Sequence, residues 1–204
     1  MTKVKICGLR RPEDMEAVNE IRPDFAGFVF APSRRQIDKE QAAYLKALLH
    51  PQIPTVGVFV QAACRDMAAL YEEGIIDLIQ LHGGETEEQV REVKRLTEAP
   101  VILAVSVNGS EDVLCHLDSS ADYLLFDHGK GGTGKPFCWD HLPPISRPYF
   151  LAGGLSLGNL PQALALHPWG LDVSSGVESD GKKDREKMTA FVQQVRKFDR
   201  KEES

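Results

Sequence analysis

Short apolar runs alternate with longer stretches whose apolar positions recur every three or four residues, and the rhythm persists from one end of the chain to the other. Residues 4–7, 25–30, 55–60, 77–82, 101–107, 122–127, 147–152 and 171–174 read as strands, being β-branched or aromatic and bounded by Gly, Pro or charge. Residues 12–20, 39–49, 62–73, 85–98, 110–117, 156–166 and 184–198 read as helices between them. Pro12 suits a first helical turn, Ala42, Leu45, Leu48 and Leu49 share one helical face, and Val90, Val93 and Leu96 share another. Between the sixth and seventh strands only 139–142 is left for helix, closed off by Pro143-Pro144. Strands alternating with helices imply a parallel sheet with right-handed crossovers. Eight such units in 204 residues, with no linker, predict one α/β domain over 1–204 closed into a (β/α)8 TIM barrel. An open doubly wound sheet is the alternative the same alternation permits.

A hydrophobic share of 42% and a charged share of 26% fit a soluble globular domain. The formal charge of −6 argues against nucleic acid as a partner, so an anionic small molecule would need a local cradle. Met1-Thr2-Lys3-Val4-Lys5 lacks the apolar core of a signal peptide, and no run is long enough to span a bilayer. A cytoplasmic protein with no membrane partner is expected, as a monomer or homodimer. Cys7, Cys64, Cys115 and Cys138 are too scattered for a disulfide framework and form no paired CxxC set. Cys138 and His141 alone are too little to predict a metal.

In a barrel the strand tips face one mouth, where chemistry is carried. Lys5-Ile6-Cys7-Gly8 ends the first strand in a thiol followed by a residue that turns freely. A lone Cys there would more often be core; its company argues otherwise. Strand alternation puts Cys7 on the face of Lys5, Asp127 with Leu125 and Tyr123, His82 with Gln80, and Ser174 with Asp172. A thiol and a carboxylate across one opening suit proton abstraction at a carbon and proton donation to a leaving oxygen. Taken singly, Asp127 reads equally as a loop cap and His82 as a satisfied core histidine.

The run Gly129-Lys130-Gly131-Gly132-Thr133-Gly134-Lys135-Pro136 satisfies both GxxxxGK and GxGxxG. Pro136 stands where a nucleotide loop needs a metal-binding hydroxyl, and no sustained helix follows, so both nucleotide readings fail. A loop able to close over the mouth, or a plain connection, remains. Gly153-Gly154 after the seventh strand and Ser174-Ser175-Gly176 after the eighth put small residues on adjacent loops. Their backbone N–H groups suit phosphate, at this fold's usual phosphate location.

These motifs resemble the phosphoribosylanthranilate isomerase family. The resemblance rests on Lys5-Ile6-Cys7-Gly8, Gly27-Phe28-Val29-Phe30 with Ser33-Arg34-Arg35, Val56-Gly57-Val58-Phe59, Gln80-Leu81-His82-Gly83, Gly131–Lys135, Ala152-Gly153-Gly154-Leu155 and Asp172–Glu178, in family order. One departure is Phe137-Cys138-Trp139-Asp140, where the family usually reads Phe-Asp-Trp. The resemblance implies an Amadori rearrangement in tryptophan biosynthesis without a cofactor, on a phosphorylated small-molecule substrate. It implies Cys7 as base and Asp127 as acid, with Arg35 rather than Arg34 on a substrate carboxylate. Gly153, Gly154, Ser175 and Gly176 would hold phosphate, and His82 and Asp172 would line the substrate, Asp172 with a structural role as the rival reading. The related isomerase of histidine biosynthesis, which relies on two aspartates, and a non-catalytic phosphosugar-binding module are the competing functions.

Overall fold

A computed structural model describes residues 1–128, 139 and 142–202. Eight parallel strands, β1 (Lys3–Cys7), β2 (Phe25–Val29), β3 (Thr55–Phe59), β4 (Leu78–Leu81), β5 (Val101–Ser106), β6 (Tyr123–Asp127), β7 (Tyr149–Leu151) and β8 (Gly170–Val173), close into a barrel in sequence order. The open doubly wound alternative is excluded by the β1–β8 pairing, which sets Lys5 beside Asp172. Around the barrel lie α1 (Pro12–Ile21), α2 (Lys39–Leu48), α3 (Cys64–Glu72), α4 (Glu87–Leu96), α5 (Ser110–Leu114), α6 (Leu160–Leu164) and α7 (Arg185–Glu202). None of the described helices is long and apolar enough to cross a membrane.

Alternation along each strand divides the side chains into two populations. Ile6, Phe28, Ile79, Leu103, Phe126 and Leu171 point outward and pack beneath the helices. Phe25, Val56, Leu78, Ile102, Leu125 and Phe150 point inward as an apolar floor, sealed by Tyr123 stacked on Trp169 at 4.5 Å. Above this floor the lining turns polar, with Lys5, Gln80 and Asp172 buried. That change puts the polar lining of the barrel interior at the C-terminal mouth.

The base is braced by a device used three times. Asp24, Asp77 and Asp122, each just ahead of an even-numbered strand, accept the N–H of Val4, Thr55 and Val101 on the preceding odd strand. In return each donates its own N–H to the carbonyl of the same residue. Strand starts that would otherwise leave donors unmet are thereby satisfied and held in register.

Several elements are shorter than their apolar pattern suggests, for local reasons. The carboxylate of Glu85 accepts the N–H groups of Gln61 and Gly83, so α4 begins only after Thr86, whose capping box with Gln89 starts it cleanly. The side chain of Asn159 takes the Ser156 N–H and donates to the Gly154 carbonyl, which spends 156–159 on a turn before α6. Of the expected helix over 139–142 only Trp139 and Leu142 are described, joined by a 3.0 Å backbone hydrogen bond. A hairpin of β9 (Glu178–Ser179) and β10 (Lys182–Lys183) follows β8, where the sequence pattern indicates only loop.

Candidate active site

A cavity of about 240 Å³ opens at the mouth, lined among others by Cys7, Arg35, Gln80, His82, Asp127, Gly153, Gly154, Asp172, Ser174 and Ser175. All the residues singled out at strand tips therefore meet in one place. Arg34 lies outside this lining with its side chain 60% exposed, whereas the Arg35 side chain is 10% exposed. Gly176 also stands outside the lining, one residue behind Ser175. The segment 129–138, with its glycine-rich run and Cys138, and His141 lie outside the described residues. Among the described residues no three His, Cys, Asp or Glu converge as metal ligands would.

Cys7 is buried beside Lys5, two residues earlier on the same face of β1. Lys5 Nζ lies 3.0 Å from Asp172 Oδ1; the Lys5 side chain is fully buried, and that of Asp172 is nearly so. Burial pushes the Cys7 thiol above its ordinary range; Lys5 and Lys183 favour the thiolate, and Asp172 opposes it. Lys5 therefore favours the thiolate, but desolvation is the larger effect. Burial by itself would lower Lys5, yet the Asp172 and Cys7 negative charges outweigh it and hold the ammonium above the usual lysine range.

Across the mouth, Asp127 Oδ1 accepts the His128 N–H at 2.6 Å. Its Oδ2 lies 3.2 Å from His82 Nε2, and Gln80 Nε2 lies 2.7 Å from His82 Nδ1. The imidazole bridges the Gln80 amide and the Asp127 carboxyl group, one ring nitrogen to each. His82, expected to contact substrate, thus both lines the cavity and holds Asp127. The two-residue spacing of Gln80, on β4, and His82, just past its end, is the sequence signal of this contact.

The loops after β7 and β8 press together. Gly153 sits at φ +81°, and a Cβ there would come within 2.9 Å of Asp127 Oδ1. A Cβ on Gly176 would overlap the Leu155 carbonyl. Gly176 is small because loop eight must close on loop seven, a reason the sequence pattern does not reveal. The N–H groups of Gly153, Gly154, Ser175 and Gly176 donate to no other described residue. These four donors lie on adjoining loops, and backbone amides so grouped are able to hold an anion.

Two residues the sequence reading left without a role stand here too. Glu178 and Lys183, on the hairpin after β8, are both buried at the site, with Glu178 Oε1 2.7 Å from both Arg35 Nε and Lys183 Nζ. Their signal is weak in sequence, since charged residues beside a Gly turn ordinarily mark a solvated hairpin.

A family model for N-(5'-phosphoribosyl)anthranilate isomerase matches residues 4–194. The chain belongs to this family. It is 48% identical over 197 residues to the N-(5'-phosphoribosyl)anthranilate isomerase of Lacticaseibacillus casei BL23, covering 96% of each chain. The phosphoribosyl anthranilate isomerase of Thermus thermophilus superposes with a TM-score of 0.87 at 35% identity, covering 97% of this chain and 100% of the other. Another solved phosphoribosyl anthranilate isomerase, in complex with reduced 1-(o-carboxyphenylamino)-1-deoxyribulose 5-phosphate, superposes at 0.83 with 32% identity, covering 97% and 100%. A histidine-pathway isomerase and a non-catalytic module are set aside by this membership.

Proposed function

We propose that Cys7 and Asp127 divide the proton transfers of an Amadori rearrangement. The chain is an isomerase of tryptophan biosynthesis, converting N-(5'-phosphoribosyl)anthranilate to 1-(2-carboxyphenylamino)-1-deoxyribulose 5-phosphate. Asp127, protonated, gives its proton to the furanose ring oxygen as the bond from that oxygen to the first sugar carbon breaks, leaving an iminium. The Cys7 thiolate then takes the proton from the second carbon, and the electron pair neutralises the iminium as an enolamine. Proton transfer from the second-carbon hydroxyl to the first carbon yields the ketone, the proton on Cys7 returns to Asp127 through solvent before the next turnover, and no oxidant, reductant or cofactor is needed.

The observation that carries this reading is that Cys7 and Asp127 line one cavity together with Arg35 and the loops after β7 and β8. Arg35 answers the anthranilate carboxylate, and Gly153, Gly154, Ser175 and Gly176 answer the phosphate through their free N–H groups. Asp172 is committed to Lys5 through Oδ1, so its contribution to the sugar falls to its other oxygen. No described group requires a partner chain to complete the site; a monomer or homodimer fits equally, and cytoplasmic synthesis of an amino acid suits the class.

The test follows the fluorescence of freshly made phosphoribosylanthranilate. Cys7→Ser and Asp127→Asn should each bind the reduced product analogue almost normally while losing most of kcat. A Cys7→Ser enzyme with near-normal turnover would remove the thiol from the role of base.

A further inference from the structure

The hairpin formed by β9 and β10 carries two buried charges that the proton chemistry does not use. The Glu178 carboxylate, 5% exposed, accepts Arg35 Nε at 2.7 Å and Nη2 at 3.0 Å, Lys183 Nζ at 2.7 Å and Arg34 Nη2 at 3.1 Å. Burial alone would raise it, but hydrogen bonds from Arg35 and Lys183 hold it down at about 2. It is therefore a fixed negative charge at any pH where the enzyme works.

Its grip on Arg35 is directional. Nε and Nη2 form one edge of the guanidinium, and Glu178 covers that edge. The adjoining edge, made by Nη1 and the second Nη2 hydrogen, remains, and Nη1 donates to no other described residue. Two parallel N–H groups on that edge match a second carboxylate. The absent side chain of Gly8 leaves room for the Arg35 stem, so the arginine crosses the tip of β1 to reach the cavity. Lys183, gripped by the same carboxylate, donates to the Ser174 carbonyl at 3.0 Å and to its hydroxyl at 3.3 Å. Ser174 Oγ in turn donates to the Cys7 carbonyl at 3.0 Å. One hydrogen-bonded chain thus runs from the guanidinium to the backbone of the thiol residue.

We infer that Glu178 is a positioning residue for substrate recognition: it turns the free edge of Arg35 toward the substrate carboxylate, and Lys183 ties that subsite to the strand tip bearing Cys7. This rests on the reading of Arg35 as the carboxylate anchor. The pair selects for substrates with a carboxylate on the amine-bearing ring, because a flexible arginine loses more freedom on binding than one already held.

The experiment measures calorimetric affinity for two ligands, the reduced product analogue and the same compound lacking the ring carboxylate. The proteins are the unaltered enzyme, Glu178→Gln, Arg35→Ala and the double variant. Glu178→Gln should weaken the carboxylated ligand about tenfold to a hundredfold, the scale of a hydrogen bond to a charged group, and change the other by no more than about twofold. It should add nothing in the Arg35→Ala background. Equal losses for both ligands, or full additivity with Arg35→Ala, would overturn the inference. Arg35→Ala binding the carboxylated ligand normally would instead sink the anchor reading itself. Should Glu178→Gln fail to fold, exchange of the Arg35 Nε–H in the unaltered enzyme decides: slow exchange is expected, and exchange as fast as free arginine overturns the proposal.

Discussion

Lys5 and Asp172 are register partners across the β1–β8 seam, and their side chains close on each other at 3.0 Å inside the barrel, on the face of β1 that ends in Cys7. The seam that closes the barrel is therefore also where Cys7 acquires its electrostatic setting. Lys5 favours the thiolate and Asp172 opposes it, so removal of one or the other should move Cys7 in opposite directions.

Lys5→Met should displace the pH dependence of Cys7 alkylation to higher pH, and Asp172→Asn should displace it to lower pH. Peptide-resolved mass spectrometry after iodoacetamide pulses reads this separately from Cys64 and Cys115. Because Cys7 already stands above its ordinary range, alkylation of the unaltered enzyme should be slow at neutral pH and keep rising beyond pH ~8.5, where a free thiol is half ionised. Each variant also leaves a buried charge unpaired, and both should cost about 3–5 kcal/mol in denaturant unfolding. Displacement of both profiles in the same direction would refute the electrostatic account.

Arg35→Lys keeps the charge and loses the fork. It should raise KM and lower kcat/KM by about 1–3 kcal/mol, through weaker contacts to Glu178 and to the substrate carboxylate together. Arg34→Lys, whose side chain is largely exposed, should stay within about 0.5 kcal/mol. Steady-state kinetics separate the two, and the reverse ranking would mean that the wrong arginine has been assigned to the substrate.

Alanine at two glycines should produce different kinetic defects. Gly153→Ala crowds Asp127 Oδ1 at a left-handed backbone position, so its main loss should be in kcat. Gly176→Ala forces loop eight away from the Leu155 carbonyl, so its main loss should be in KM and in inhibition by inorganic phosphate. Each should also destabilise by about 1–3 kcal/mol, the usual cost of overpacking. Identical kcat and KM changes in the two variants would contradict the division of labour.

Asp24 gives the barrel base a pH signature. Burial raises its carboxyl, but the Arg196 guanidinium, the Val4 N–H and Lys3 outweigh that and hold it below the ordinary aspartate range. A carboxyl depressed in the folded state contributes stability that is complete above its unfolded value near ~3.9 and is lost as pH falls through the folded value. Asp24→Asn should therefore be less stable than the unaltered chain at pH 7, by about 1–3 kcal/mol for its hydrogen bonds to charged and backbone donors. The gap should narrow below pH ~4. Urea titrations across that range check it; a gap independent of pH would assign the effect to packing.

Much of this protein is written in local pattern. Alternating apolar runs determined eight strands, because inward and outward positions of a barrel strand repeat every two residues. That same alternation put Cys7, His82 and Asp127 on the inward face before any coordinate was known. The small residues after β7 and β8 were legible as close-approach positions, but what they approach, Asp127 at Gly153 and the Leu155 carbonyl at Gly176, was not. What the tertiary structure alone decided are relationships across large sequence separations. Lys5 meets Asp172 only because β8 returns to β1, and Arg35 meets Glu178 only because a hairpin after the last strand folds back over the second. The role of Gly176 depends on a carbonyl twenty-one positions away. Periodicity reports which face a side chain occupies; burial, charge pairing and close approach depend on what the closed barrel brings opposite it.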